Sequence, residues 1–370
     1  MLAASLILGG CAANAREVVR VSKEMGGALI EQLPTAQAMS TPASSVASAP
    51  SRGEPIAVAV EQAVTSILLA PPLNDRSAEL SGMAWHGEDL ILLPQFPSRF
   101  DDHLYALSKA DIAAYLRGES SKPLAARPIA FDDGALHALL EGFDGFEAIA
   151  FDGDRAFLTI ESRTSFGMLG VLVAGEMAAN GKALALNPFA QASIPVQAAL
   201  GNMTDETAFV AGDEVVTIYE ANGSNINPSA VVHRFTQDLK PNGVAPMVNM
   251  EYRITDATAL DEAGRFWAIN YLWPGDADKL RLADDPLAPD RNEINAGESP
   301  TPIERLVEFQ WLGDGGVVLS GEPPINLRLL PGGVSRNWEG IVRFQDGELD
   351  GFLLVTDEFP STMLGFVSRK

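Results

Sequence analysis

Among 370 residues there is a single cysteine, Cys11. No disulfide can form within the chain, and no cysteine pair can bind zinc. Histidine is scarce too, with four residues in all. Basic residues are few: 26 Lys and Arg face 49 Asp and Glu, for a formal net charge of −23. Such a surface repels phosphate backbones and anionic headgroups and attracts divalent cations, which argues against a nucleic-acid partner. Past the N-terminus no apolar run is long enough to span a bilayer. The sequence also lacks a GxSxG elbow, a P-loop, HExxH and CxxC, so no Ser-His-Asp triad can be argued from it. Sustained helical periodicity is nearly absent; Lys109–Leu116 and the stretch from Ala135 to Leu140 are the short exceptions.

What is present points to β structure. Hydrophobic residues make up 46% and charged residues 20%, as in a soluble globular protein, and 33 glycines and 24 prolines supply many turns. Residues 1–11 resemble a lipoprotein-type signal, in which the apolar Leu6–Gly10 stretch leads to a lipidated Cys11. That predicts an exported protein, periplasmic or held at the outer membrane, touching the membrane only through its lipid. Residues 12–55 read as a weak helix followed by an Ala/Ser/Pro tether, and residues 56–370 as one domain.

An internal repeat sets the expected fold. ELSGMAWHGEDLILLPQ (79–95), EAIAFDGDRAFLTIES (147–162), ETAFVAGDEVVTIYEA (206–221), DATALDEAGRFWAINY (256–271) and EGIVRFQDGELDGFLLVTDE (339–358) share one pattern. Each opens on an acidic residue, then has an apolar strand, a Gly/Asp turn and a second apolar strand. The starts lie 50 to 83 residues apart, room for four-stranded blades. Third strands are expected near 104–107, 168–173, 231–235 and 305–311, and fourth strands near 128–131, 193–196, 247–252 and 325–330. The predicted fold is therefore an all-β propeller of five four-stranded blades, closed by an N-terminal strand within 56–69. Six blades is the competing count, and a β-sandwich the plainer alternative.

In a propeller the first strand of each blade lines the channel. Glu79, Glu147, Glu206, Asp256 and Glu339 would then meet at one mouth, with Asp205 as an alternative to Glu206. Gln95, Glu161, Glu220, Asn270 and Asp357, at the ends of the second strands, would form another layer there. Crowded carboxylates raise one another's pKa or bind a cation, and oxygen-only ligands favour Ca²⁺, with Mg²⁺ as the alternative. Salt bridges to the sides are the plainer outcome. Arg76, Arg253 and Arg336 each precede an acidic residue by three positions, and Arg163 follows Glu161 by two. They could grip an anion or merely neutralise the ring. The long acidic segment Tyr271–Pro302 is expected to be a binding loop or a solvated insertion. His103 and His137 are placed near this mouth as candidate acids or bases, against a surface role.

The segments ELSGMAW (79–85), LLPQFPSRF (92–100), GFEAIAF (145–151), TIES (159–162), NWEGIVRF (337–344) and LLVTDE (353–358) resemble the bacterial "esterase-like activity of phytase" family of propeller domains. The pattern is also similar to five-bladed calcium-dependent nucleotidases. The family name implies ester or phosphate-ester hydrolysis; joined to the residue reading above, it gives a Ca²⁺-dependent hydrolase expected to act as a monomer on a small anionic or ester substrate. In that scheme Glu79, Glu147, Glu206, Asp256 and Glu339 hold the metal, and Glu161 or Glu220 activates water. Arg76, Arg163 and Arg336, with Gln95 and Asn270, bind substrate. A non-catalytic scaffold with a structural calcium and a lactonase-type sugar-acid hydrolase are the alternatives.

Overall fold

A computed structural model of the chain describes residues 61–288 and 300–369. Cys11, residues 12–55, and Asp290, Arg291, Glu293 and Glu298 of the acidic loop lie outside the described residues. The chain is all-β, built from antiparallel meanders wound about a common channel, the arrangement of a β-propeller. Among the described residues no helix is long and apolar enough to cross a membrane.

The innermost strands are Leu80–His86, Phe143–Asp152, Asp205–Ala211, Arg253–Ala257 and Trp338–Asp346. Each lies beside the next, and the last returns to the first. Outward from Leu80–His86 run Asp89–Pro94, His103–Ser108 and Arg127–Asp132. Outward from Phe143–Asp152 run Arg155–Thr164, Gly167–Met177 and Ala183–Ile194, whose outer edge pairs in parallel with Arg127–Asp132. Glu214–Tyr219, Val231–Thr236 and Pro241–Pro246 follow Asp205–Ala211. Arg265–Leu272 and Ile303–Trp311 follow Arg253–Ala257, with Val317–Leu319 and Ile325–Leu327 sharing the outer edge. Leu349–Thr356 and Leu364–Ser368 follow Trp338–Asp346. The last place is filled from the other end of the chain by Thr65–Ile67, antiparallel to Leu364–Ser368. The edge left open by the C-terminal hairpins is thus covered by the expected N-terminal strand.

Each sheet is covered on both faces by its neighbours, which is why the strands read as near-continuous apolar runs rather than alternating ones. Val215–Tyr219 and Phe266–Leu272 are buried throughout. The core is accordingly a ring of inter-sheet seams. Leu353 and Val355 pack with Leu80 and Met83, Leu93 with Phe146, Phe157 with Val215, Phe209 with Phe266, and Trp267 with Ile341.

The helix expected at Lys109–Leu116 is present and capped by the Ser108 hydroxyl, which accepts from the Asp111 N–H. Two strand assignments are corrected: the outer strand expected near 193–196 lies earlier, at Ala183–Ile194. Residues 247–252 cross between sheets, and the outer strand is Pro241–Pro246 instead. An exposed edge tolerates its prolines and glycine, so apolarity was the wrong guide there.

The inner strands approach so closely that a side chain is sometimes excluded. A Cβ on Gly340 would meet Val355 Cγ2 at 2.6 Å and the Gly82 carbonyl carbon at 3.3 Å. Gly340→Ala is therefore expected to destabilise the fold by about 1–3 kcal/mol through overpacking, measurable as a lower urea midpoint. An unchanged midpoint would mean the inner strands are less tightly apposed.

Candidate functional site

A β-bulge interrupts the inner hairpin of every sheet at the same level. The register skips Ser81, Glu147, Glu206 and Glu339, and slips between Ile254 and Ala257 around Thr255 and Asp256. A bulge re-aims the extra residue out of the ladder, here often toward the channel or the neighbouring inner strand. The Ser81 hydroxyl donates to the Phe146 carbonyl at 2.5 Å. The Thr255 hydroxyl donates to the Trp338 carbonyl at 2.6 Å, and Asp256 accepts the Ile341 N–H at 2.9 Å.

The bulged Glu147, Glu206 and Glu339 line one cavity of about 330 Å³, together with Gln95, Glu161 and Asp357 from the second-strand ends. Asp144, Arg163, Asn202, Asn337, Arg253 and Phe96 complete its wall. Between the carboxylates lies a guanidinium. Arg253 pairs through Nε with Glu220, and its Nη2 stands 3.5 Å from Glu206 and 3.7 Å from Glu339. Its plane sits over Tyr271 at 5.7 Å. Gln95 donates to Glu147 at 3.1 Å, Thr204 to Glu161 at 3.3 Å, and Asn337 to Glu339 at 2.5 Å. The other channel mouth is apolar, with Trp85, Phe151 and Phe209 around a second cavity.

One guanidinium cannot neutralise this many acids in a desolvated space. Burial, then the charge of Glu206, pushes Glu161 up to about 7. Burial raises Glu206 to about 7 as well, against the pull of Arg253. Burial and mutual repulsion lift Glu147 and Glu339 well above the usual carboxylate range, and Asp357 is raised chiefly by burial. Lys279, on the loop after Leu272, feels Asp276, Arg253, Glu206 and Glu161, and burial lowers its pKa. At neutral pH the mouth therefore holds carboxylic acids beside carboxylates.

Several expected site residues lie elsewhere. Glu79 ends the turn Arg76–Ala78 in a left-handed conformation and accepts from Arg99; the bulge position in its sheet is Ser81. Asp256 faces the neighbouring strand rather than the cavity, because the Ile341 N–H holds it. Asn270 is fully buried, donating to the Glu251 and Arg253 carbonyls and accepting from Arg305. Glu220, fully buried, serves Arg253 and does not line the cavity. Arg76 is exposed and bound to Glu358, and Arg336 is buried against Glu304 and Trp338. Of the expected clamp only Arg163 lines the cavity, tied to Asp144 at 2.9 Å and Asn202 at 2.7 Å. Asp205 is bound inside its sheet by Thr217 and His233. His103 bonds the Phe100 carbonyl and His137 bonds Asp133, both away from the cavity. The described part of the acidic loop is pinned down: Arg305 grips Asp285 at 2.7 Å and 3.0 Å, and Glu251 accepts the Ala283 N–H.

No family model and no curated protein matches the chain. Similar solved structures include a putative glycoside hydrolase from Parabacteroides distasonis, at TM-score 0.42 and 9% identity over 86% of this chain and 96% of that one. The catalytic domain of a GH62 α-L-arabinofuranosidase from Coprinopsis cinerea gives 0.45 and 10% over 84% and 98%. An α-L-arabinofuranosidase from Fusarium graminearum in complex with an iminosugar inhibitor gives 0.42 and 10% over 83% and 97%. No activity is carried over at this distance.

The expectation of a phytase-like or esterase-like hydrolase is nonetheless corrected here. The anion clamp that a phosphate substrate needs is not assembled as expected, since Arg76 and Arg336 are committed elsewhere. A carboxylate-rich cavity repels a phosphate dianion. Arg253 occupies the space beside Glu206 and Glu339 that a calcium ion held by them would need.

The raised carboxyls make stability depend on pH. In the folded chain Glu161 and Glu206 keep their protons up to about 7, against 4.5 ordinarily. Between those values the folded state binds more protons than the unfolded, so stability falls as pH rises through that window. The urea midpoint is expected to be higher at pH 5 than at pH 7.5. A midpoint equal or higher at pH 7.5 would show these groups to be ionised throughout.

Proposed function

We propose that the chain is a five-bladed propeller whose acidic mouth hydrolyses a glycosidic bond, with Glu161 as the general acid and Glu206 as the carboxylate that assists attack. The observation that carries this proposal is the placement in one cavity of two buried carboxyls both raised to about 7, Glu161 and Glu206, so that near neutrality one can keep a proton while the other, beside the Arg253 guanidinium, is ionised. Glycoside hydrolysis needs those two states side by side, one carboxyl to protonate the leaving oxygen and one to act as base or nucleophile. Because the charge of Glu206 raises Glu161, loss of the proton from Glu206 favours its retention by Glu161.

The wall of the cavity suits a neutral, hydroxyl-rich substrate. Carboxylates and the amides of Gln95, Asn202 and Asn337 accept and donate to hydroxyls without the repulsion an anion would meet. Phe96 lines the cavity, and the exposed Phe166, Trp273 and Phe359 follow second strands at the same end of their sheets. Such faces stack on the apolar side of a sugar ring. The five-blade count rests on the cycle of inner strands, and the family resemblance on segments 79–85, 145–151 and 337–344, which contribute to three of them.

The test is release of nitrophenol or reducing sugar from a panel of nitrophenyl glycosides and neutral polysaccharides by the full chain. Turnover is expected, falling above about pH 7 as Glu161 deprotonates, and Glu161→Gln is expected to lower kcat by roughly 10²–10⁴-fold. No release from any member of the panel, or an unaltered kcat in Glu161→Gln, would overturn the proposal.

A further inference from the structure

The inner strand Arg253–Ala257 departs from the pattern of the others. Its bulge acid, Asp256, is spent on the Ile341 N–H of the next inner strand, and so does not reach the cavity. The residue of this strand that does reach it is Arg253. Its side chain is 12% exposed and contacts Glu206 and Glu220 of the preceding sheet and Glu339 of the following one. Tyr271 lies under the guanidinium plane. Three carboxylates from two neighbouring sheets therefore converge on a cation supplied by the sheet between them.

We infer that Arg253 is a built-in counter-ion standing where a divalent cation would otherwise be required, and that the acidic mouth is assembled without metal. The argument is one of charge and reach. A calcium ion asks for six to eight oxygens at about 2.3–2.6 Å. Here Glu206, Glu220 and Glu339 are held around a planar, permanently charged group with several N–H donors on a long stem. A divalent ion placed among the same carboxylates would face that guanidinium at close range, and Lys279 adds a second positive charge nearby. Arg253 acts on the chemistry through Glu206 and is a positioning residue. This inference concerns how the mouth is held together and does not depend on which bond is cut there.

Its consequence is that removing the guanidinium exposes a latent metal site. Arg253→Met keeps much of the side chain's apolar length but takes the counter-charge from three buried carboxylates, the setting in which a hard divalent ion binds. Arg253→Lys retains a charge and should not open the site.

The test measures Ca²⁺ binding and thermal melting on the full chain, wild type, Arg253→Lys and Arg253→Met, with calcium chloride or a chelator as the additive. For the wild type the melting temperature is expected to be the same with chelator and with millimolar Ca²⁺. Arg253→Met is expected to melt lower and to be restored by Ca²⁺, with an affinity at least about tenfold above the wild type's. Arg253→Lys is expected to show no calcium response. Stoichiometric Ca²⁺ binding by the wild type with a chelator-sensitive melting temperature would overturn the inference, even if Arg253→Met fails to fold. So would a folded Arg253→Met that gains no calcium affinity. Failure of the glycosidase assay would leave these calcium measurements unaffected, so the two proposals fall separately.

Discussion

The structure depends on a conflict between backbone geometry and electrostatics. Converging inner strands, each bulged at the same level, must point their extra residues into a narrow shared space. Three of those residues are glutamates, and second-strand carboxylates crowd in behind them. These side chains are buried, so their charge is poorly screened and must be cancelled or suppressed. Both happen. Arg253 cancels part of it, and raised pKa values suppress much of the rest by keeping protons on Glu147, Glu161, Glu206 and Glu339. Chemistry at the mouth is a by-product of that compromise: the same crowding that destabilises ionised glutamates makes them proton donors near neutrality.

The channel divides this polar problem from an apolar one. Toward the acidic mouth the inner strands carry carboxylates and amides; toward the other they carry Trp85, Phe151 and Phe209. Between the two, Ser81, Thr255 and Asp256 tie adjacent inner strands through hydrogen bonds to main-chain groups. These bonds add to side-chain seams such as Trp267 against Ile341 and to main-chain links such as the Phe146 N–H donating to the Gln95 carbonyl. Position around the ring is thus set by short polar links at the axis and by apolar packing farther out.

How much was legible in the sequence follows from how local each signal is. The inner hairpins were readable because their turns need Gly or Asp and their strands are buried on both faces, so apolar runs and turn residues coincide. The outer strand Pro241–Pro246 was not, since an exposed edge is freed from both rules. The acidic layer was legible as a recurrence but not as geometry. Glu79 matched the pattern by type, yet its strand begins one residue later and the bulge falls on Ser81. Asp256 matched by position, but a backbone N–H from another sheet claimed it. The recurrent arginines looked alike at three residues before an acid, and only contacts with other parts of the ring separate Arg253 from Arg76 and Arg336. Asn202 carried no sequence signal, because it reaches the mouth from a connection whose path is set by packing, and Asp144 precedes its repeat's acid by three residues inside the same strand.

The short strand Thr65–Ile67 completes the sheet that ends in Leu364–Ser368. A ribosome must release nearly the whole chain before this pairing can form, so the ring is finished late although its first piece is made early. Until then the seam between the C-terminal hairpins and Leu80–His86 lacks its outer strand. The described domain is in this respect already circular: its two ends are joined by hydrogen bonds rather than by a peptide bond. New termini cut at an outer hairpin, with the old ones linked, would move the closure from noncovalent to covalent without changing which strands touch.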